Sequence, residues 1–203
     1  MKTLPIVLAS ILLLAACGGG SRKPSTILPE GTVVQPGDIL LRRGNGMVSR
    51  VVIMADNGGT YSHVGIAVDS AGHTMVVHAV PGEPDFKGDV DRVKMETPEK
   101  FYRYINACAG CVMRTADSKT AKRAADVAMA IYRRGTLFDH DYDDSDSSKM
   151  YCCELVEHSF MKAGLRLINV PRHNFRLPGK TFNNIRLPSD FVTSKALRQV
   201  TSF

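Results

Sequence analysis

Ser62-His63-Val64-Gly65-Ile66-Ala67-Val68-Asp69-Ser70-Ala71-Gly72-His73-Thr74-Met75-Val76-Val77-His78-Ala79-Val80 is the stretch on which the fold turns. Val64, Ile66 and Val68 alternate with His63, Gly65 and Ala67, the two-residue period of a strand. Asp69 to Gly72 is turn-forming, and Thr74 to Val80 is a β-branched run stopped by Pro81-Gly82, so a hairpin is predicted. With a two-residue turn at Ser70-Ala71 or Ala71-Gly72, His63 and His78 fall on one face. They then sit opposite each other or one diagonal apart, where side chains meet. A three-residue turn would send them to opposite faces.

Working outward, Pro36-Gly37-Asp38 is a turn that releases a short strand over Ile39 to Arg42. Met47, Val51 and Met54 have helical spacing, closed by Asn57-Gly58-Gly59. On the other side a polar stretch leads to a short helical piece over Pro98 to Tyr104, and Cys111 to Thr115 reads as a strand. Ser118 to Arg134 is the clearest helix, and a long polar segment runs from Gly135 to Ser148. A second helix starts near Met150 and stops at Ala163-Gly164. The tail carries a helical turn at Ser189 to Val192 and a last strand at Leu197 to Val200. The pattern predicts an α+β domain, an antiparallel sheet packed against helices.

The second helix holds Cys152, Leu155, Val156, Phe160 and Ala163 on one stripe, which places Cys152 inward in the first turn. A helix N-terminus carries partial positive charge and free amides. Both favour a thiolate over a thiol, and the same amides can hold a developing oxyanion. Cys153, ~100° further round, is expected to point away from that face. A thiolate nucleophile needs a base, and the hairpin offers His63, with His78 to hold its tautomer. The same three side chains are acceptable zinc ligands, but no spacing demands a metal, so no cofactor is expected. His73, His140, His158 and His173 fall in turns, polar stretches or a helix side and are background.

At the N-terminus Lys2 precedes an apolar run from Ile6 to Leu14, too short for the ~20 residues of a membrane span. It has the shape of an export signal, and Leu14-Ala15-Ala16-Cys17 matches the lipobox of bacterial lipoproteins. Residues 1–16 are expected to be the signal peptide, with Cys17 lipidated through a diacylglyceryl thioether and an acylated amine. Residues 17–30 are then a flexible linker. Gly18 after the cysteine points, by resemblance to the lipoprotein sorting rule, to the outer membrane, facing the periplasm. The net charge of +6 is spread along the chain and offset by the acidic run Asp139, Asp141, Asp143, Asp144, Asp146. Without a basic stripe interleaved with aromatics, nucleic-acid binding is excluded. Cys108 and Cys111 are read as a structural or inert pair, able to close a small disulfide loop in an oxidising compartment.

Pro36-Gly37-Asp38-Ile39-Leu40, Ser62-His63-Val64-Gly65-Ile66 and Tyr151-Cys152-Cys153-Glu154-Leu155-Val156 together resemble the permuted papain-like amidases of the YiiX/YaeF type. These sit in the NlpC-like superfamily beside the lecithin–retinol acyltransferase relatives. The order, His before Cys, is itself the mark of the permutation. The resemblance implies a circularly permuted papain-like catalytic domain over residues 31–203, with Cys152 as nucleophile and His63 as base. The third position in that family is usually Glu in a Val-x-Glu-Ala context. Here Val76-Val77-His78-Ala79 puts a histidine there, closer to the acyltransferase relatives, and leaves His63 without that carboxylate unless Asp38 or another acid helps. The expected activity is hydrolysis of an amide or isopeptide bond in cell-wall peptide or envelope protein. The alternatives are acyl or thioester transfer on lipid, or an inactive envelope binding lipoprotein. Expected partners are a peptide, peptidoglycan-fragment or acyl substrate, and a membrane through the lipid anchor.

Overall fold

A computed structural model describes residues 25–143, 145, 147–177 and 179–203. The predicted signal segment and Cys17 lie outside the described residues. In chain order the elements are β1 (Ile39–Arg43), α1 (Met47–Ala55), β2 (His63–Ser70), β3 (His73–Val80), β4 (Arg92–Glu96), α2 (Pro98–Phe101), β5 (Ala109–Arg114) and α3 (Ser118–Arg133). Then follow β6 (Leu137–Phe138), β7 (Lys149–Met150), α4 (Cys152–Lys162), β8 (His173–Leu177), β9 (Lys180–Ile185), α5 (Pro188–Val192) and β10 (Arg198–Ser202). One sheet runs in the order β10-β5-β1-β2-β3-β4-β6-β7, and β8 and β9 form a separate hairpin. Its neighbours are antiparallel except for the short β6–β7 pair.

The central hairpin turns on Ala71 (φ 54°) and Gly72 (φ 82°). Two consecutive positive φ values are those of a type I′ two-residue turn, whose twist suits paired strands. Ser70 therefore faces His73 and Ile66 faces Val77, and the even-odd alternation sorts the strands into two faces. Ile39, Leu41, Val64, Ile66, Val68, Val77 and Ala79 form the main core with α3 and α4. Ala121, Ala124, Ala125 and Ala128 are the buried stripe of α3, small enough to let the helix lie close to the sheet. Asp117 starts that helix by accepting from the Thr120 amide at 3.0 Å. The other face buries Leu40, Ala67, Val76 and Val112 under Phe101, Tyr102 and the N-terminal residues Ile27, Leu28 and Val34.

Three features depart from the expected pattern. β4 lies in the stretch read as merely polar, its Arg92, Lys94 and Glu96 alternating with Val93 and Met95. The segment expected to be wholly polar contains β6, pinned to Asp91 by the Phe138 amide at 2.9 Å. The tail also forms the β8–β9 hairpin, whose strands are mostly exposed and carry too few apolar residues to show a strand period. Cys108 and Cys111 are both free, the first exposed and the second buried in the core, so they close no loop.

Candidate active site

His63 opens β2 directly across from Arg42 of β1. One step beyond the Ile66–Val77 pair, Gly65 faces His78. A Cβ on Gly65 would come within 2.8 Å of Val76 Cγ1 and 3.1 Å of His78 Cβ. That missing side chain leaves room for the diagonal approach of the two imidazoles, whose His63 Nε2 and His78 Nδ1 lie 2.9 Å apart. On the far side His78 pairs with Lys94, and Val76 with Glu96. Glu96 is thus again one diagonal away, and its Oε1 lies 3.1 Å from His78 Nε2. Neither of those two atoms has a well-aligned hydrogen-bond partner among the described residues, so what joins them is the charge of the carboxylate beside the ring. His63, His78 and Glu96 make a row across three neighbouring strands, all buried. Phe101 backs both rings, its centroid 5.6 Å from that of His63 and 5.2 Å from that of His78.

Cys152 reaches this row from the first turn of α4. Tyr151, extended at φ −95° and ψ 172°, turns the chain into the helix, and Glu154 accepts from the Tyr151 amide at 3.4 Å. The Cys152 sulfur lies beside the His63 ring and the Val64 backbone, close enough for both to favour its thiolate. Since His63 Nε2 is engaged by His78, the sulfur is left with Nδ1. The neighbouring Cys153, expected to point away from the inward face of the helix, is the more deeply buried of the two. It is buried in the core with Leu155, Val156 and Phe160, while Cys152 is only partly covered. α4 is enclosed on most of its circumference, so a single apolar stripe could not tell its inner side.

The electrostatics separate the two thiols. Cys152 is held well below the ordinary thiol range, first by the S–H of Cys153, whose sulfur is 3.9 Å away, then by His63 and Val64, against the opposing effect of burial. Burial, followed by its neighbour's developing charge, pushes Cys153 well up. Burial lowers both His63 and His78 to about 4, so both rings are neutral at pH 7. Burial alone would raise Glu96, but His78, Arg42 and Lys94 together hold it down to about 2. A carboxylate facing His78 Nε2 puts that ring's proton on Nε2, which makes Nδ1 an acceptor for the Nε2–H of His63. The His63 lone pair is then on Nδ1, toward sulfur. The acid supporting the row is Glu96 and not Asp38, which is tied to Arg114 at 2.6 and 2.7 Å. Glu96 escaped notice because β4 did; the Arg-Val-Lys-Met-Glu alternation was the signal for it.

The two histidine nitrogens face one another instead of converging on a common point, and no cluster of three or more His, Cys, Asp or Glu side chains placed for a metal occurs among the described residues. Cys152 and His63 open onto a cleft of about 650 Å³. It is lined by α1, by Tyr142, Phe175 and Phe182, and by Arg42 and Glu83.

A helix-borne Cys facing a strand-borne His at one cleft, with the histidine earlier in the chain and an antiparallel sheet flanked by helices, defines the class of permuted papain-like proteins. The chain belongs to the family described as "Permuted papain-like amidase enzyme, YaeF/YiiX, C92 family", whose profile matches residues 33–201. It is similar in fold to the crystal structure of metalloprotein yiiX from Escherichia coli O157:H7, with a TM-score of 0.63 and 17% identity. That match covers 83% of this chain and 97% of the other. No curated protein matches.

Proposed function

We propose that this protein is a cysteine amidase or peptidase that hydrolyses an amide or isopeptide bond in cell-wall peptide or envelope protein. The observation that carries the reading is the row of His63, His78 and Glu96, spaced at 2.9 and 3.1 Å, that backs the cleft shared by His63 and Cys152. As substrate docks, the proton of Cys152 passes to His63 Nδ1 and the sulfur attacks the carbonyl carbon. The first-turn amides of α4 receive the oxyanion. His63, a weak base and hence a strong acid once protonated, gives its proton to the leaving amine, and the C–N bond breaks to a thioester. Water, deprotonated by His63, then cleaves the thioester and restores the thiol. His78 and Glu96 act through His63: they fix its tautomer and offset the positive charge it briefly carries, as positioning residues. The Leu14-Ala15-Ala16-Cys17 sequence supports an envelope location with Cys17 as the lipid anchor.

Cys152→Ala and His63→Ala should each abolish release of amine from muropeptides or envelope peptides. Both should also abolish labelling by an electrophilic probe in a Cys108→Ser background, while Cys153→Ser keeps activity. Activity surviving in Cys152→Ala would sink the proposal. The apolar walls of the cleft favour a second reading, acyl transfer from lipid through the same thioester. It predicts a lipid acyl-enzyme on Cys152 that is resolved by an amine or alcohol in preference to water.

A further inference from the structure

The α1 helix has no buried residue, yet it is mostly apolar. Met47 is 81% exposed, Val48 57% and Met54 72%, and Ile105 beside them is 78% exposed. Val48, Val51 and Val52 look into the cleft and Ile105 lines its rim. Met47, which borders the mouth of the cleft, shares one side of the helix with Arg50 and Met54 at i, i+3 and i+7, so that side alternates apolar and cationic side chains. Arg43 and Arg103 are exposed nearby. A contiguous exposed apolar patch with a basic fringe needs an apolar, anionic partner.

The path of the chain says which partner. The N-terminal segment joins the domain at this rim: Tyr104 donates its amide to Ser25 O at 3.3 Å, and Thr26 bridges Arg103. Asn45, just before α1, donates to Tyr104 O at 2.9 Å. From Cys17 to Ser25 are eight peptide steps, which reach roughly 28 Å at most when fully extended. On the reading that Cys17 carries the lipid, its anchor therefore keeps Ser25, and the rim that Ser25 joins through Tyr104, within that distance of the bilayer.

We propose that α1 and Ile105 form a docking surface for an anionic membrane, seating the mouth of the Cys152 cleft on the lipid headgroups. Met47, Met54 and Ile105 enter the headgroup boundary, and Arg43, Arg50 and Arg103 pair with lipid phosphates while their stems lie along apolar surface. The cleft then takes substrates presented at the membrane face rather than from bulk solvent.

The chain contains no tryptophan, so one introduced indole reports its own position in the full-length protein. Met47→Trp, with Ile105→Trp as an independent second reporter, should shift its emission to the blue on addition of phosphatidylethanolamine–phosphatidylglycerol vesicles. It should lose most of that emission when the acyl chains carry bromine. His73→Trp, on the exposed far turn of the β2–β3 hairpin, should do neither. Phosphatidylcholine vesicles should give a weaker response, and salt should reduce the response on the anionic vesicles toward that level. Equal responses at positions 47 and 73, or none at 47 and 105, would overturn the proposal. So would an undiminished response on phosphatidylcholine, or a blue shift that grows with protein concentration in the absence of lipid, which would indicate a second copy of the chain.

Discussion

At the scale of single residues, the adjacent thiols Cys152 and Cys153 have opposite surroundings. One faces an imidazole and an amide at the cleft; the other is sealed in the core and kept protonated. A buried S–H aimed at a neighbouring sulfur stabilises its thiolate. Cys153→Ala should therefore move the midpoint of Cys152 alkylation to higher pH, and Cys153→Ser should restore it. An unchanged midpoint in Cys153→Ala would assign Cys153 to packing alone. Glu96→Gln keeps the shape of the row but removes its charge. It should lower kcat on the order of 10²-fold with little change in KM, as expected for a group that stabilises only the charged form of His63. Because burial holds His63 near 4, the acid limb of kcat/KM should lie well below 6.5; a limb at 6.5 would argue that another group is the base.

At the scale of elements, the row depends on registers held by turns and close approaches. Gly37, at φ 86°, precedes β1, and a Cβ there would lie 2.4 Å from the backbone oxygen of Ala121 in α3. Gly37→Ala should destabilise the fold by several times the ~1 kcal/mol typical of a point substitution, seen as a lower urea midpoint. Gly65→Ala is the more diagnostic change. Its Cβ would press on Val76 and His78 across the strand pair, and overpacking of this kind costs about 1–3 kcal/mol. It should lower activity more than a stability-matched core variant such as Val68→Ala, because it displaces the imidazole itself. Equal losses in the two variants would place the effect on stability alone.

At the scale of the whole molecule, acid acts on several buried groups in one direction. Folded His63 and His78 titrate near 4, against about 6.5 when unfolded. The unfolded chain thus binds more protons between those values, and stability, complete above 6.5, falls as pH drops toward 4. Glu96, near 2 in the fold and about 4.3 when unfolded, adds a second loss from about 4.3 down to 2. Thermal melts should show Tm decreasing continuously from pH 7 to pH 3. A flat Tm between pH 7 and pH 4 would mean that the histidines are not buried as neutral rings.

The sequence by itself determined the elements whose local signals are strong. The period-two hairpin, the long α3 and a second helix starting near Met150 were legible, and His63 and His78 shared a face on condition of a two-residue turn; the structure supplies that turn at Ala71-Gly72 and starts α4 at Cys152. These depend on periodicity and turn chemistry among near neighbours. Only the tertiary structure decided which acid completes the row and which thiol faces the cleft. Glu96 reaches His78 through the pairing of β4 with β3, a contact set by sheet order and by a loop that no local pattern encodes. The outward side of α4 is set by which of its faces the sheet and α3 cover, and a helix enclosed nearly all round leaves no stripe in the sequence to read.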